Sequence, residues 1–333
     1  MIASISQVFA DVPGDCYSVD IALALARICN ATYLPSAQWN DDATVKSLHL
    51  RNKIEDADDT HCLIGDVDGT DITILAFRGT GPASTVNWLA DFEAKLRPKD
   101  TDIQTHEGFA ATYESLRPQI LKTLPADRTI WITGHSLGGA LATLAGVQLQ
   151  AAGFRVRATY TYGGPRVGNA AFAGSLPSPF YRFVYGSDVV PHLPPQGIYE
   201  HGGIKVTASA DGTLIKATAL GDGGDDNLPL LALLAEPTAR LAAGSNNPLQ
   251  GLLAATVNLL PNPQQQFDSL FNNVLIAAFA QEATQQQEAT ILETAATQAS
   301  VLFLPPLRDH FPGKYIKALE LAQKNISSTL TTG

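Results

Sequence analysis

The sequence predicts an α/β fold, a mostly parallel central sheet with helices on both faces. Three observations carry that prediction. Short apolar runs bounded by glycine alternate with helical patterns through the first two thirds of the chain. One of these runs, "RTIWITG", passes straight into an Ala/Leu-rich helix across "HSLGG". The chain has 333 residues, 45% of them hydrophobic, which suits one sizeable core carrying an insertion. A single domain over 1–333 is therefore expected.

The elements follow in order. "SVDIALALARICNATYL", residues 18–34, spaces its apolar residues as a helix does. "HCLIGDVDGTDITILAFRGT" reads as a hairpin with an Asp-Gly turn, its second arm running from Ile72 to Phe77. "RTIWITG" is a buried parallel strand by its continuous apolar character. The helix after it carries Leu137, Leu141, Leu144 and Val147, with small residues between for close packing. Strands follow at "RVRATYTYG" and "PFYRFVYG", and a second hairpin at "GIKVTASADGTLIKAT". The composition then changes. Between Asn227 and Leu304 only Glu236, Arg240, Asp268, Glu282, Glu288 and Glu293 carry charge, well below the chain average of 16%. Residues 220–304 are expected to form a helical insertion, either packed on the main body or presenting an apolar surface. Pro312 suits the first turn of a final helix.

The formal net charge of −10 excludes a basic nucleic-acid interface and simple docking on anionic lipid. No run reaches the roughly 20 apolar residues of a membrane span. Cys16, Cys29 and Cys62 show no metal-ligand spacing, so no zinc site is expected, although they leave room for one disulfide. The N-terminus has no basic stretch leading into a long apolar one. A Sec signal peptide is therefore not expected, and the protein is expected in the cytoplasm or exported by another route.

"GHSLG" fits G-x-S-x-G, a strand-to-helix elbow that lifts a serine hydroxyl out of a sheet. Gly134 and Gly138 leave the backbone space to converge, and the helix N-terminus behind Ser136 directs N–H groups at a developing oxyanion. A serine hydroxyl needs a histidine base oriented by a buried carboxylate. In the α/β-hydrolase fold the chain order is serine, acid, histidine. Asp188, just past the apolar strand in "YRFVYGSDVVPHLPP", is the candidate acid. His192 follows it too closely on one loop, which leaves His201 and His310. An oxyanion hole needs two donors. Leu137 follows the serine, and Thr80 of "FRGT" sits on a loop after a neighbouring strand.

The ordered blocks "FRGT", "NWLADF", "HEGFAATY", "TGHSLGGALATLAG", "TYGGPRVGNAAFA", "YRFVYGSDVVPHLPP", "YEHGG" and "DHFPGKYI" resemble the class 3 lipases, which include the filamentous-fungal triacylglycerol lipases and bacterial relatives. The resemblance covers roughly residues 60–208 and 305–322. It implies Ser136 as nucleophile, Asp188 as acid and His310 as base, with Thr80 and Leu137 as the oxyanion hole. It implies that Asp91 holds the Thr80 hydroxyl, and that residues 81–93 take the place of the family's lid. His135 and Arg166 are expected to be structural. No metal or organic cofactor is implied. The chain departs from the fungal pattern in the long stretch between Asp188 and His310, and the excess is the charge-poor insertion.

The activity so implied is hydrolysis of carboxylic esters, first of triacylglycerols, with an ester or lipid substrate and a lipid–water interface as partners. A short-chain carboxylesterase, a phospholipase A1 and a feruloyl-type esterase use the same core. A catalytically silent lipid-binding protein is the alternative from another class. It would be expected to lack a triad member, and none is missing here.

Overall fold

The computed structural model describes residues 4–34, 38, 44–55, 61–79, 102–177, 179–194, 196–216 and 309–331. Thr80, Asp91, the 81–93 segment and the 220–304 insertion lie outside the described residues.

Two helices open the chain, α1 (Ile5–Ala10) and α2 (Val19–Ala31). Ser18 caps α2 by accepting the Ile21 amide, and the helix buries most of its length, from Ile21 to Ala31. Strands β1 (Leu48–Glu55), β2 (His61–Val67) and β3 (Ile72–Phe77) follow as an antiparallel meander. Gly69, at φ 72°, supplies the left-handed residue that the Asp-Gly turn between β2 and β3 needs. Helix α3 (Glu107–Thr123) leads into β4 (Thr129–His135), and α4 (Leu137–Ala151) into β5 (Arg155–Tyr162). The short α5 (Ala170–Gly174) precedes β6 (Phe180–Tyr185). The hairpin of β7 (Ile204–Ala208) and β8 (Leu214–Lys216) ends the sheet, and α6 (Pro312–Thr331) closes the fold.

The strands lie in sequential order, β1 to β8, in one sheet. β3 through β7 are parallel and the outer pairs antiparallel, as the alternating pattern predicts. Strand β4 shows how both faces fill. Ile130 and Ile132 belong to a core with α3 and α4, whereas Trp131 belongs to the opposite core with α1, α2 and α6. The helices, strands and hairpins predicted within the described residues appear. Not anticipated were α1, the edge strand β1, and α3, which carries Pro118 inside it.

Cys16, Cys29 and Cys62 are free and buried, so no disulfide forms among them. Among the described residues no helix is long and apolar enough to cross a membrane.

Candidate active site

The parallel strands deliver their C-terminal ends to one edge of the sheet, where open α/β sheets bind ligands. Ser136 follows β4, Gly163 follows β5, Asp188 follows β6 and Gly79 follows β3. His310 arrives on the loop before α6.

Ser136 is the N-cap of α4 and sits at φ 59°, ψ −130°, a region that non-glycine residues rarely occupy. Its amide donates to the Tyr162 carbonyl at 3.0 Å, which ties the strained turn to β5. The flanking glycines are sterically required. A Cβ on Gly134 would lie 2.0 Å from the Gly138 oxygen, and one on Gly138 would lie 2.3 Å from the Phe77 oxygen. Leu137 is the first residue of α4, so its amide is one of those that a helix start leaves without an intrahelical acceptor. The loop after β3 packs directly on the elbow, since a Cβ on Gly79 would come within 2.9 Å of the Ser136 Cβ. The chain then enters Thr80, outside the described residues.

Asp188 is fully buried and gathers three donors. His310 Nδ1 lies 3.0 Å from one carboxylate oxygen and 2.9 Å from the other. The Val190 amide donates at 2.9 Å, and the Tyr315 hydroxyl donates to Oδ2. Burial, and then the Asp188 charge, push the Tyr315 phenol well above its ordinary range, so it remains a protonated donor. A carboxylate only accepts, so His310 carries its hydrogen on Nδ1 and turns the Nε2 lone pair outward. Gly163, at φ 58°, passes through this cluster, and a Cβ there would lie 2.6 Å from Asp188 Oδ2 and 3.0 Å from His310 Nδ1.

The loops are fastened to each other. Asp309 accepts the Ser187 amide at 3.0 Å, which joins the His310 loop to the Asp188 loop. The buried Arg166 guanidinium donates to the His192 and Pro194 carbonyls at 2.6 and 2.8 Å, which holds the segment after Asp188 in place. Of the two histidines left open by the sequence, His310 reaches the carboxylate. His201 places its Nε2 2.6 Å from the Pro191 carbonyl instead.

Ser136 Oγ and His310 Nε2 are both buried and make no hydrogen bond among the described residues, with each other or with another group. An unsatisfied buried polar atom costs about 1–3 kcal/mol, and here two of them belong to the serine and to the histidine that Asp188 orients. Serine–histidine bonds of this kind commonly tighten only when substrate binds. Among the described residues no group of three His, Cys, Asp or Glu side chains could hold a metal ion.

His135, beside the serine, is buried. Burial, and then the nearby His310, hold its pKa well below the usual 6.5. This has a consequence for stability. Above about pH 6.5 the ring is neutral in both folded and unfolded chains. Below that, the unfolded chain binds a proton that the folded one refuses. Stability is therefore expected to fall as pH drops from about 6.5 toward the depressed folded value, by about 1.4 kcal/mol per unit for this one histidine. His201, also lowered mainly by burial, acts in the same sense. Urea unfolding at about pH 7.5 and about pH 5.5 checks the slope, and a flat profile would show that neither ring is held neutral.

Comparison with known proteins bears out the resemblance. Residues 74–198 match the family model described as lipase (class 3). The lipase of Rhizomucor miehei is 32% identical over 183 residues, covering 49% of this chain and 50% of that protein. The secreted mono- and diacylglycerol lipase 1 of Fusarium solani is 34% identical over 160 residues, 41% of this chain and 48% of that protein. The chain thus spans about half the length of the curated relatives it matches. Among solved structures, lipase II from Rhizopus niveus superposes with a TM-score of 0.56 at 26% identity, covering 64% of this chain and 90% of that one. A structure described as a triacylglycerol lipase whose catalytic centre is a serine protease triad superposes with a TM-score of 0.55 at 26% identity, covering 63% and 89%. The α/β-hydrolase fold is the one these lipases share.

Proposed function

We propose that this chain, class 3 lipase-like over residues 74–198, hydrolyses carboxylic esters of lipids through an acyl-enzyme on Ser136, with triacylglycerols as the leading substrate class. The observation that carries the proposal is the buried Asp188–His310 pair set on the same sheet edge as a strained, unsatisfied serine.

In the proposed mechanism His310 Nε2 takes the Ser136 proton as Oγ attacks the ester carbonyl. Asp188 stabilises the imidazolium that forms. The oxyanion is met by the Leu137 amide at the start of α4 and, by the resemblance, by the amide of Thr80, with Asp91 steadying the Thr80 side chain. The tetrahedral intermediate collapses as His310 returns its proton to the departing alcohol. Water, deprotonated by the same histidine, then attacks the acyl-enzyme and releases the acid. Every step uses residues of this chain and none requires a cofactor.

The relatives' names divide between "lipase" and "mono- and diacylglycerol lipase", so the glyceride class is tested directly. The test is hydrolysis of p-nitrophenyl acetate, butyrate, octanoate and palmitate, with emulsified triolein and diolein alongside. Turnover favouring the long chains and the emulsions is expected. Activity on diolein alone would narrow the substrate to partial glycerides. Activity confined to acetate and butyrate would reassign the protein as a short-chain carboxylesterase. Silence on every ester would overturn the proposal.

A further inference from the structure

Behind the elbow runs a second hydrogen-bond chain that the mechanism above does not use. His135 Nε2 lies 2.6 Å from the backbone carbonyl oxygen of His310, and His135 Nδ1 lies 2.6 Å from the Tyr33 hydroxyl. A carbonyl only accepts, so Nε2 carries the ring hydrogen. The ring is buried and neutral, so Nδ1 accepts and Tyr33 donates. The same Tyr33 oxygen packs against Gly79, where a Cβ would come within 2.3 Å of it. The chain runs from the Tyr33 hydroxyl, seated on Gly79, through the His135 ring to the His310 carbonyl.

Its two ends are the two loops that must stay in register with Ser136. One is the loop after β3, which leads into Thr80. The other carries the base. The chain passes close to the serine, because the same Cβ position on Gly79 would touch both the Tyr33 hydroxyl at 2.3 Å and the Ser136 Cβ at 2.9 Å. The ring type matters as well. The His135 and His310 ring centroids are 4.6 Å apart, so a charged His135 would oppose the imidazolium formed during turnover. The other groups around the pair fit a neutral link. Asp188, Asp309 and Tyr315 lie about His310, the Cys29 thiol bonds Thr133, and the Arg78 guanidinium sits 5.9 Å over the Tyr33 ring.

Resting on the ester-hydrolase reading above, we propose that Tyr33 and His135 are positioning residues that hold the Gly79 and His310 backbones at a fixed separation on either side of Ser136. They touch no reacting atom. They set the distance between the oxyanion loop and the base, a separation in which about 1 Å of error can cost a hundredfold in rate.

The test uses the full chain as wild type, Tyr33→Phe, His135→Gln and His135→Leu. Competent sites are counted by stoichiometric reaction with a p-nitrophenyl alkylphosphonate, and kcat and KM for p-nitrophenyl butyrate are expressed per titrated site. Tyr33→Phe is expected to lose on the order of tenfold in kcat per site with KM unchanged. His135→Gln, whose amide N–H can still reach the His310 carbonyl, is expected to retain more kcat per site than His135→Leu. A merely structural role would lower the number of titrated sites and leave each one turning over at the wild-type rate, and that result would overturn the proposal. Should Tyr33→Phe not fold, the glutamine and leucine variants decide, and equal kcat per site in the two would overturn it. Failure of the ester-hydrolase reading looks different, since wild type would then take up no phosphonate, or Ser136→Ala would take up as much as wild type.

Discussion

Ser136→Ala is expected to lower ester turnover by about 10⁶-fold and to leave the protein as stable as wild type or more so. The two halves of this expectation have separate grounds. The rate loss follows because alanine removes the oxygen that attacks the ester in the proposed mechanism. Cys29 is buried against Thr133, its thiol pushed up to about 12 by that burial, so it offers no thiolate. The stability half follows from the hydroxyl itself. Ser136 Oγ is fully buried and makes no hydrogen bond among the described residues, so its removal relieves a desolvated polar atom and breaks no bond. The strained backbone at φ 59° remains in both proteins, because alanine meets the same restriction there as serine. Turnover of the p-nitrophenyl esters and thermal unfolding of the two proteins check both halves. Hydrolysis retained within about a hundredfold of wild type would remove Ser136 as the nucleophile. A large loss of stability would mean that the hydroxyl serves the fold.

Much of this arrangement was legible in local sequence. Gly134 and Gly138 are needed because backbone atoms stand within 2.3 Å of where their side chains would begin, and such a need shows in sequence as a glycine on each side of the serine. The β2–β3 hairpin declared itself by Asp68-Gly69, since few other pairs tolerate that turn. The long-range contacts were not legible. Asp188 and His310 meet across a separation of 122 positions, and the residues alone left His201 open as the base. Nothing local distinguishes a histidine on the Pro191 carbonyl from one on a carboxylate. Tyr315 and Tyr33 were missed as partners of the site for the same reason. Each lies on or beside a helix whose apolar spacing explains a buried aromatic without any role for the hydroxyl. Gly163 carried a faint signal, a Gly-Gly pair directly after a strand, but its need for φ 58° and for a bare Cα appears only once Asp188, His310 and Tyr315 surround it.

Asp188→Asn is expected to lower kcat by up to about 10⁴-fold with little change in KM. The carboxylate holds three converging donors, from His310, Val190 and Tyr315, and an amide offers one accepting oxygen in place of two. If that oxygen stays with the Val190 amide, the new NH2 group faces His310 Nδ1 and the Tyr315 hydroxyl. His310 is then free to move its hydrogen to Nε2, the tautomer that cannot take a proton from Ser136. Whatever the tautomer, the negative charge that stabilises the imidazolium is gone. Steady-state kinetics of the variant on a soluble ester test this. A raised KM with kcat intact would mean that Asp188 shapes substrate binding alone. An unchanged kcat would mean that the contact between Asp188 and His310 belongs to the fold and not to the reaction.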